Sequence, residues 1–384
     1  MNHYKRILSV AFLAVLSGSV DAVPFSVEAR SLGMGNVRVA TADIATAPFA
    51  NPGMLSFQPS REDFSLLLGA GLFLNDNDGL VDKIDDFQTA YNNGLAGDPN
   101  EAVRALGIAQ SMLGDVIVPE TTLAFSTGFS AKKWAFALSA RADAIAAGTV
   151  TTSNFNNPAQ YDLVIEGILT TELGLSLARN FQVFGQKIAI GLKPKYVTVD
   201  NAFISESITT VDTGLGDLLD DGNTIDLGDY TTLDLGLVMG LTKHTQIGLV
   251  ITDLVSNKIN FINSSGIPST LSFDTQARLG IAYRTDLLTL GADVDLIAND
   301  ALLTSQNFQA LKSQFVSLGG EFNLFDFMQL RIGAQKNIAD DIPEAAKENL
   351  YTAGIGFWLG FNLDLAVVSR NDSLGGFLQT GFRF

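Results

Sequence analysis

The stretch Leu374-Gly-Gly-Phe-Leu-Gln-Thr-Gly-Phe-Arg-Phe384 decides the fold class of this chain. In an extended strand, successive side chains point to opposite faces. One face of this strand therefore carries Leu374, Leu378 and Phe382, and the other carries Gln379 and Arg383. A strand of this length that ends in an aromatic residue is typical of a membrane-crossing strand whose end lies in the interfacial aromatic girdle.

The same alternation recurs along the chain. Trp134, Phe136 and Leu138 share one face of a second such stretch, while Ser139 and Arg141 share the other. The pattern predicts about fourteen strands, at 63–74, 119–130, 133–149, 161–180, 186–202, 229–242, 245–260, 269–283, 286–298, 314–324, 327–337, 349–359, 361–370 and 374–384. We therefore predict an all-β fold, a transmembrane antiparallel β-barrel, in residues 62–384.

The connections between the predicted strands differ in length at the two ends of the barrel. Long connections lie at 75–118, 149–160, 203–228, 261–268, 299–313 and 338–348, and short turns lie between them. Bacterial barrels have short periplasmic turns and longer outer loops, and an even number of strands places both chain ends in the periplasm. A soluble β-sandwich is the alternative, but it needs a second sheet to cover each apolar face.

The composition fits this arrangement. The 384 residues carry a net charge of −17, yet 47% of them are hydrophobic, 36 are glycine and none is cysteine. The mean hydropathy is +0.23. Lipid-facing alternate residues account for the hydrophobicity, and acidic outer loops account for much of the charge. Such an acidic chain lacks the clustered basic residues that direct nucleic-acid binding requires.

The first 22 residues have the pattern of a signal peptide. Lys5 and Arg6 precede the apolar run 7–16, and Val20-Asp21-Ala22 fits a signal-peptidase site. No later stretch has the roughly 18 consecutive apolar residues that a spanning helix needs. We therefore expect export through a cleaved signal peptide, residues 1–22, and location in the cell outer membrane, in contact with its lipid.

The first long connection, 75–118, has helical periodicity. Apolar residues recur at helical spacing in two groups: Leu80, Val81, Ile84, Phe87 and Tyr91, then Val103, Leu106, Ala109, Met112 and Leu113. This spacing predicts a helical extracellular insertion over the barrel mouth. It would be a structural cap, or alternatively a gate or a docking surface for a protein partner.

The segment before the first strand, residues 23–61, is rich in small residues and lacks a continuous strand pattern. Packed inside the barrel it would be a plug, with a fixed turn at Asn51-Pro52-Gly53. The motif Ala29-Arg30-x-Leu32-Gly33-Met34-Gly35, with Ala40-x-Ala42-Asp43 and Asn51-Pro52, resembles the N-terminal hatch of the long-chain fatty-acid transporter (FadL-like) superfamily. The resemblance implies a fourteen-stranded barrel with an N-terminal plug, although Gly53 replaces the usual alanine. It implies that the plug motif comprises Arg30, Gly33, Gly35, Asp43, Asn51 and Pro52.

A second resemblance is to a group within that superfamily. The stretch Leu80-Val-Asp-Lys-Ile-Asp-Asp-Phe-Gln88 is similar to the exported TraF-type putative conjugal transfer barrel family. This resemblance implies a non-catalytic surface or docking role associated with DNA transfer between cells, with 75–118 as the surface that binds a partner.

Charged residues on the inner strand faces are the candidates for binding. The basic ones that we single out are Arg141, Lys193, Lys195, Arg278 and Arg331, and Lys193 and Lys195 lie two residues apart on one strand face. They would form an interior ion-pair network that holds barrel and plug together, or alternatively a basic patch that binds the carboxylate head group of a ligand.

Catalysis finds little support in this sequence. With the signal peptide removed, His244 is the only histidine, and no G-x-S-x-G motif is present. No pair of histidines is available for zinc, so we expect no metal, no cofactor and no enzymatic activity. Two hypotheses remain: a plugged channel or binder for small hydrophobic compounds, and a surface component of conjugal transfer.

Overall fold

The computed structural model describes residues 28–58, 63–76, 78–131, 133–211, 223–262, 266, 268–299, 303–304, 312–325, 327–340, 349–370 and 373–383. The predicted signal peptide therefore lies outside the described residues, as do positions 23–27 and 59–61 of the predicted plug. Fourteen antiparallel strands form one closed barrel, which confirms the predicted fold class. The seam joins the first strand to the last, with Ser65 opposite Arg383.

The described strands are numbered in chain order. Those of the barrel are β1 Phe64–Asn75, β2 Val116–Ala131, β3 Trp134–Thr152, β4 Tyr161–Val183, β5 Gln186–Ser207, β6 Asn223–Gly240, β7 Thr245–Thr252, β10 Gln276–Arg284, β11 Leu288–Asp295, β13 Phe315–Leu324, β14 Met328–Asn337, β15 Asn349–Trp358, β16 Asn362–Arg370 and β17 Ser373–Arg383. A separate three-stranded sheet contains β8 Asn257–Ile262, β9 Pro268–Phe273 and β12 Leu303–Thr304.

The outer face of the barrel is apolar. Leu138, Leu173 and Ile332 are each more than half exposed, as expected for residues that face lipid. Exposed aromatic residues mark the end with the short turns: Phe129, Trp134, Phe181, Tyr283, Phe322, Phe327, Trp358 and Phe382. This end is the periplasmic end in barrels of this kind. No helix in the described part of the chain is long and apolar enough to cross a membrane.

Two of the predicted strands, 245–260 and 269–283, are each broken. The chain leaves the wall after β7, where Asp253 has a φ of 52°, and rejoins it at β10. Between them, β8 and β9 form a hairpin that packs on the inward-facing Ile168, Val197 and Val199. The hairpin thus folds into the barrel, and its own alternating residues explain why the sequence pattern continued without a break.

The wall is taller on one side than on the other. Strands β3, β4 and β5 have 19, 23 and 22 residues, whereas β7, β10 and β11 have eight or nine. About 9–11 residues suffice for a strand to cross the membrane. The tall strands therefore extend beyond the bilayer, and their outward apolar residues there need another cover.

Two helices of the first loop provide that cover: α3 Leu80–Leu95 and α4 Pro99–Ser111. Their buried face packs on Val150, Leu163 and Ile165, which share the outward face with lipid-facing residues of the same strands. The helical insertion predicted in 75–118 exists, but it lies against the outer side of the wall and not over the mouth. Val103, predicted to be packed, is 73% exposed, because α4 packs through its smaller Ala105 and Ala109.

The described N-terminal residues 28–57, called the luminal segment below, lie inside the barrel. They contain α1 Ala29–Gly33, α2 Ala47–Ala50 and a 3-10 helix at Pro52–Ser56. A ring of glycines holds them close to the wall, one in each of eight neighbouring strands: Gly191, Gly236, Gly248, Gly280, Gly291, Gly319, Gly333 and Gly354. A Cβ on Gly280 would lie 2.7 Å from that of Val39. The ring therefore permits close contacts between the wall and the luminal segment, which larger residues at these positions would block.

Candidate functional site

The plug-motif residues anchor the luminal segment. Arg30 binds Glu321 through two hydrogen bonds, Nε to Oε2 at 2.7 Å and Nη2 to Oε1 at 2.9 Å. Such bidentate pairs are strong and directional. Asp43 Oδ1 accepts hydrogen bonds from the backbone N–H groups of Ala45 and Thr46, and its Oδ2 accepts one from Arg383 Nη1 at 2.8 Å.

Asn51 and its neighbours form the predicted turn. Asn51 Oδ1 accepts a hydrogen bond from Gly53 N at 3.0 Å, and Nδ2 donates to Val39 O at 3.0 Å. Pro52 begins the 3-10 helix, where its missing N–H is not needed. Gly35 has a φ of 68°, and a Cβ there would lie 2.6 Å from Ala334 N, so only glycine fits.

A cavity of about 160 Å³ lies between the luminal segment and the β8–β9 hairpin. Leu32, Arg38 and Phe49 of the luminal segment line it on one side, and Ser272 and Phe273 of the hairpin line it on the other. The wall adds apolar and aromatic residues: Leu72, Phe73, Ile145, Ile168, Val197, Tyr230, Val368 and Phe377. Charged wall residues line it too: Glu120, Arg141, Asp143, Glu172, Lys193, Lys195, Asp234, Asp253 and Asp274.

The two lysines singled out from the sequence reach this cavity, but carboxylates surround them. Lys193, 2% exposed, pairs with Glu172. Lys195 Nζ lies 3.1 Å from Asp234 Oδ1, 3.1 Å from Asp253 Oδ1 and 3.3 Å from Glu172 Oε2. This cluster is an interior ion-pair network, and the neutralising carboxylates reduce what the lysines can offer to an anionic ligand.

The candidate arginines occupy three places. Arg141 lines the cavity and pairs with Asp143. Arg278 is buried and binds Asp295 Oδ1 through Nε at 2.5 Å. Arg331 lies elsewhere, in a recess of about 200 Å³ at the periplasmic end, and joins Glu321 and Asp364. The structure therefore brings Arg141, Lys193 and Lys195 together and separates Arg331 from them.

Arg38 is the cavity residue that sequence reasoning missed. Burial and the nearby guanidinium groups of Arg278 and Arg141 lower the pKa of Arg38 to about 10, so it stays charged at neutral pH. No side-chain hydrogen bond or ion pair joins its guanidinium to another described residue. The available signal was an arginine in a segment expected to lie inside the barrel. Alternation distinguishes the two faces of a strand, and Arg38 does not lie in one.

The chemistry that this site offers is binding. The cavity combines aromatic rings with one arginine whose guanidinium is not paired within the described ranges. In those same ranges, no group of three or more His, Asp or Glu side chains is arranged to hold a metal ion. An engineered apolar cavity of about 150 Å³ binds benzene, so the cavity matches a molecule of about one aromatic ring in size.

Comparisons with known proteins agree with the fold. A family model described as "F plasmid transfer operon, TraF, protein" matches residues 48–295. No curated protein sequence matches. The toluene transporter TbuX of Ralstonia pickettii is similar in structure, with a TM-score of 0.56 and 13% identity over 94% of this chain and 99% of that one.

Two further solved structures are similar over nearly the whole chain. A FadL homologue of Pseudomonas aeruginosa has a TM-score of 0.54 and 13% identity, over 95% of this chain and 99% of that one. The toluene transporter TodX of Pseudomonas putida has a TM-score of 0.50 and 14% identity, over 95% of this chain and 98% of that one. At these identities the comparisons establish the shared barrel fold.

Proposed function

We propose that this chain, which belongs to the TraF protein family of the F plasmid transfer operon, is a plugged outer-membrane channel or binder for small hydrophobic compounds. The observation that carries the proposal is the cavity between the luminal segment and the β8–β9 hairpin. Transport is the named activity of structurally similar barrels, and the sequence supports no catalytic alternative. The predicted signal peptide would supply the export that such a location requires.

The size and lining of the cavity indicate the class of ligand. About 160 Å³ suits a single-ring aromatic or a short aliphatic compound, and Phe49, Phe73 and Phe273 supply apolar contacts. Arg38 would hold one polar or anionic atom of such a ligand, with Arg141 nearby. Lys193 and Lys195, which already form ion pairs with carboxylates, would form a polar part of the wall that orients the ligand.

Filling the cavity should abolish ligand binding. Thr170 faces inward on β4 and lines the cavity, so Thr170→Trp would occupy the ligand volume. We expect affinity for toluene to fall by about tenfold or more, a loss of at least about 1.4 kcal/mol. Equilibrium dialysis of the purified protein with toluene, quantified by gas chromatography, measures this.

The control for this experiment is Leu173→Trp, on the same strand but facing lipid and 54% exposed. It should bind toluene like the unmodified chain. Equal binding by Thr170→Trp and the unmodified chain would reject this cavity as the ligand site. Mass spectrometry of mildly extracted protein would identify co-purified ligands, and their absence together with no toluene binding would contradict the proposed function.

Family membership favours a second candidate, a non-catalytic docking component associated with conjugal transfer. The surface that we propose for it is the solvent-facing side of α3 and α4, because their other side is covered by the barrel wall. Charged residues such as Asp82, Asp86 and Arg104 lie on these helices.

Changing that surface should reduce transfer frequency if docking is the function. The variant Asp82→Lys/Asp86→Lys reverses charge on α3 and leaves the packed Leu80, Ile84 and Phe87 intact. We expect at least a tenfold loss in a mating assay, with outer-membrane levels of the barrel unchanged. A transfer frequency equal to that of the parent strain would eliminate this candidate.

A further inference from the structure

Arg179 is a charged residue on the lipid-facing surface of the barrel. It is exposed, lies on β4 directly opposite Trp134 of β3, and precedes Phe181 by two residues. In the described part of the wall, it is the one charged residue on the lipid-facing side near the periplasmic end. Others on that side, such as Asp200 and Lys336, lie towards the extracellular ends of their strands. Because a charge that faces lipid is costly, its presence here calls for a partner.

Two aromatic rings hold the guanidinium group of this arginine. Cζ of Arg179 lies 4.7 Å from the centroid of the Trp134 ring and 4.9 Å from that of the Phe181 ring. Both distances are within the range of a cation–π interaction. Both rings belong to the aromatic residues that mark the periplasmic end of the barrel. The guanidinium is therefore held at the depth where the lipid headgroups begin.

The N–H groups of this guanidinium have no acceptor among the residues that the structure describes. Within those residues, no oxygen accepts a hydrogen bond from Arg179, and no carboxylate pairs with it. A cation–π contact uses the face of the guanidinium and leaves the donors on its edge available. Those donors form a planar fork that matches the oxygens of a phosphate group.

The two turns beside this arginine add an apolar group and a second cation. Phe184, in the β4–β5 turn, is fully exposed and has a φ of 50°, which a bulky residue rarely adopts. Lys133, in the β2–β3 turn, is exposed, and its carbonyl oxygen accepts a hydrogen bond from Asn180 N at 2.9 Å. Its backbone therefore lies beside that of Arg179. Neither turn contains an acidic residue, so this part of the rim favours an anion.

We propose that Arg179, Trp134 and Phe181 form a binding site for an anionic phospholipid of the periplasmic leaflet. The guanidinium binds the headgroup phosphate, and Lys133 adds positive charge beside it. The acyl chains lie on the lipid-facing residues that follow on β3 and β4. The site is on the outer surface and involves neither the cavity nor the luminal segment, so the proposal goes beyond the proposed channel function.

The two tryptophans of the chain allow a test with an internal reference. Trp134 belongs to the site, whereas Trp358 lies at the same end on β15, with β2, β1, β17 and β16 between them. The single-tryptophan variants Trp358→Phe and Trp134→Phe are reconstituted into phosphatidylcholine vesicles. These contain a fixed fraction of brominated phosphatidylglycerol or of brominated phosphatidylcholine, which quench the fluorescence of a tryptophan that they contact. We expect Trp134 to prefer phosphatidylglycerol about fivefold, and Trp358 to show no preference.

Three substitutions in the Trp358→Phe chain separate the site from the general charge of the rim. Arg179→Gln should abolish the preference at Trp134, and Phe181→Leu, which keeps the charge, should reduce it. Lys243→Gln removes an exposed cation from the β6–β7 turn at the same end, and this matched control should keep the preference. Heat-modifiable gel mobility shows that each barrel has folded.

Several results would overturn the proposal. Equal quenching of Trp134 by the two brominated lipids would do so, as would an equal preference at Trp358 or an unchanged preference after Arg179→Gln. Inorganic phosphate should lower the preference no more than sodium chloride of equal ionic strength does. A larger loss in phosphate would assign a site for the free ion and reject the lipid.

Discussion

We expect a chain that lacks residues 28–57 to have a small-ion conductance at least about tenfold higher than that of the intact protein. A fourteen-stranded barrel encloses a lumen that is wider than that of a small, side-chain-filled barrel and narrower than that of an open porin. The luminal segment occupies this lumen through buried residues such as Met34, Ile44 and Leu55. Single-channel recording in planar bilayers measures the difference. Equal conductance of both chains would show that the segment does not obstruct the lumen.

A substitution that keeps the luminal segment shows whether a higher conductance comes from an unobstructed lumen or from a misfolded barrel. Gly333→Val keeps the segment but places a side chain where Gly35 and Met34 now lie, so it should displace the segment and give intermediate conductance. Gly107→Val is the matched control, since nothing lies within 4 Å of a Cβ there. Heat-modifiable mobility verifies that each variant forms a barrel. An unchanged conductance for Gly333→Val would contradict the close fit.

The second large effect is expected for Lys195→Met. Three carboxylates, of Glu172, Asp234 and Asp253, lie within 3.3 Å of Lys195 Nζ, and its side chain is 6% exposed. Removing this cation leaves three acidic side chains close together with Lys193 as the one remaining lysine beside Glu172 and Asp234, which costs about 3–5 kcal/mol of unfolding free energy. Urea titration of the barrel in lipid vesicles, followed by tryptophan fluorescence, measures this loss.

Lys83→Met is the matched control for the buried lysine. Lys83 forms a single pair with Asp115 at 2.7 Å and its side chain is 34% exposed, so its loss should cost less than about 1 kcal/mol. If both variants unfold at the same urea concentration, the interior network does not stabilise the barrel.

The barrel could be predicted from sequence because membrane strands have a simple constraint. Every second residue faces lipid, and the terminal strand shows this without ambiguity in Leu374, Leu378 and Phe382. The break at Asp253 could not be predicted, because the β8–β9 hairpin alternates as regularly as the wall. Its apolar residues pack on the inner side of the wall, and periodicity alone does not distinguish that apolar surface from lipid.

The position of the helical insertion was missed for a related reason. Helical spacing identified α3 and α4, but not the surface that they cover. Residues such as Val150 and Leu163 continue the lipid-facing pattern above the membrane, and only the strand lengths in the structure show that a cover is needed there. The partners of Lys195 lie on β4, on β6 and directly after the end of β7, so their convergence depends on the register of the strands, which the sequence does not specify.

The glycine ring also constrains the order in which the protein assembles. At their glycines, eight wall strands come closer to the luminal segment than side chains would allow, so residues 34–57 fit against the wall with little clearance. The segment precedes β1 in the chain, so it is present before β17 arrives. We therefore expect the β1–β17 seam to pair last, after the other strands have closed around the segment.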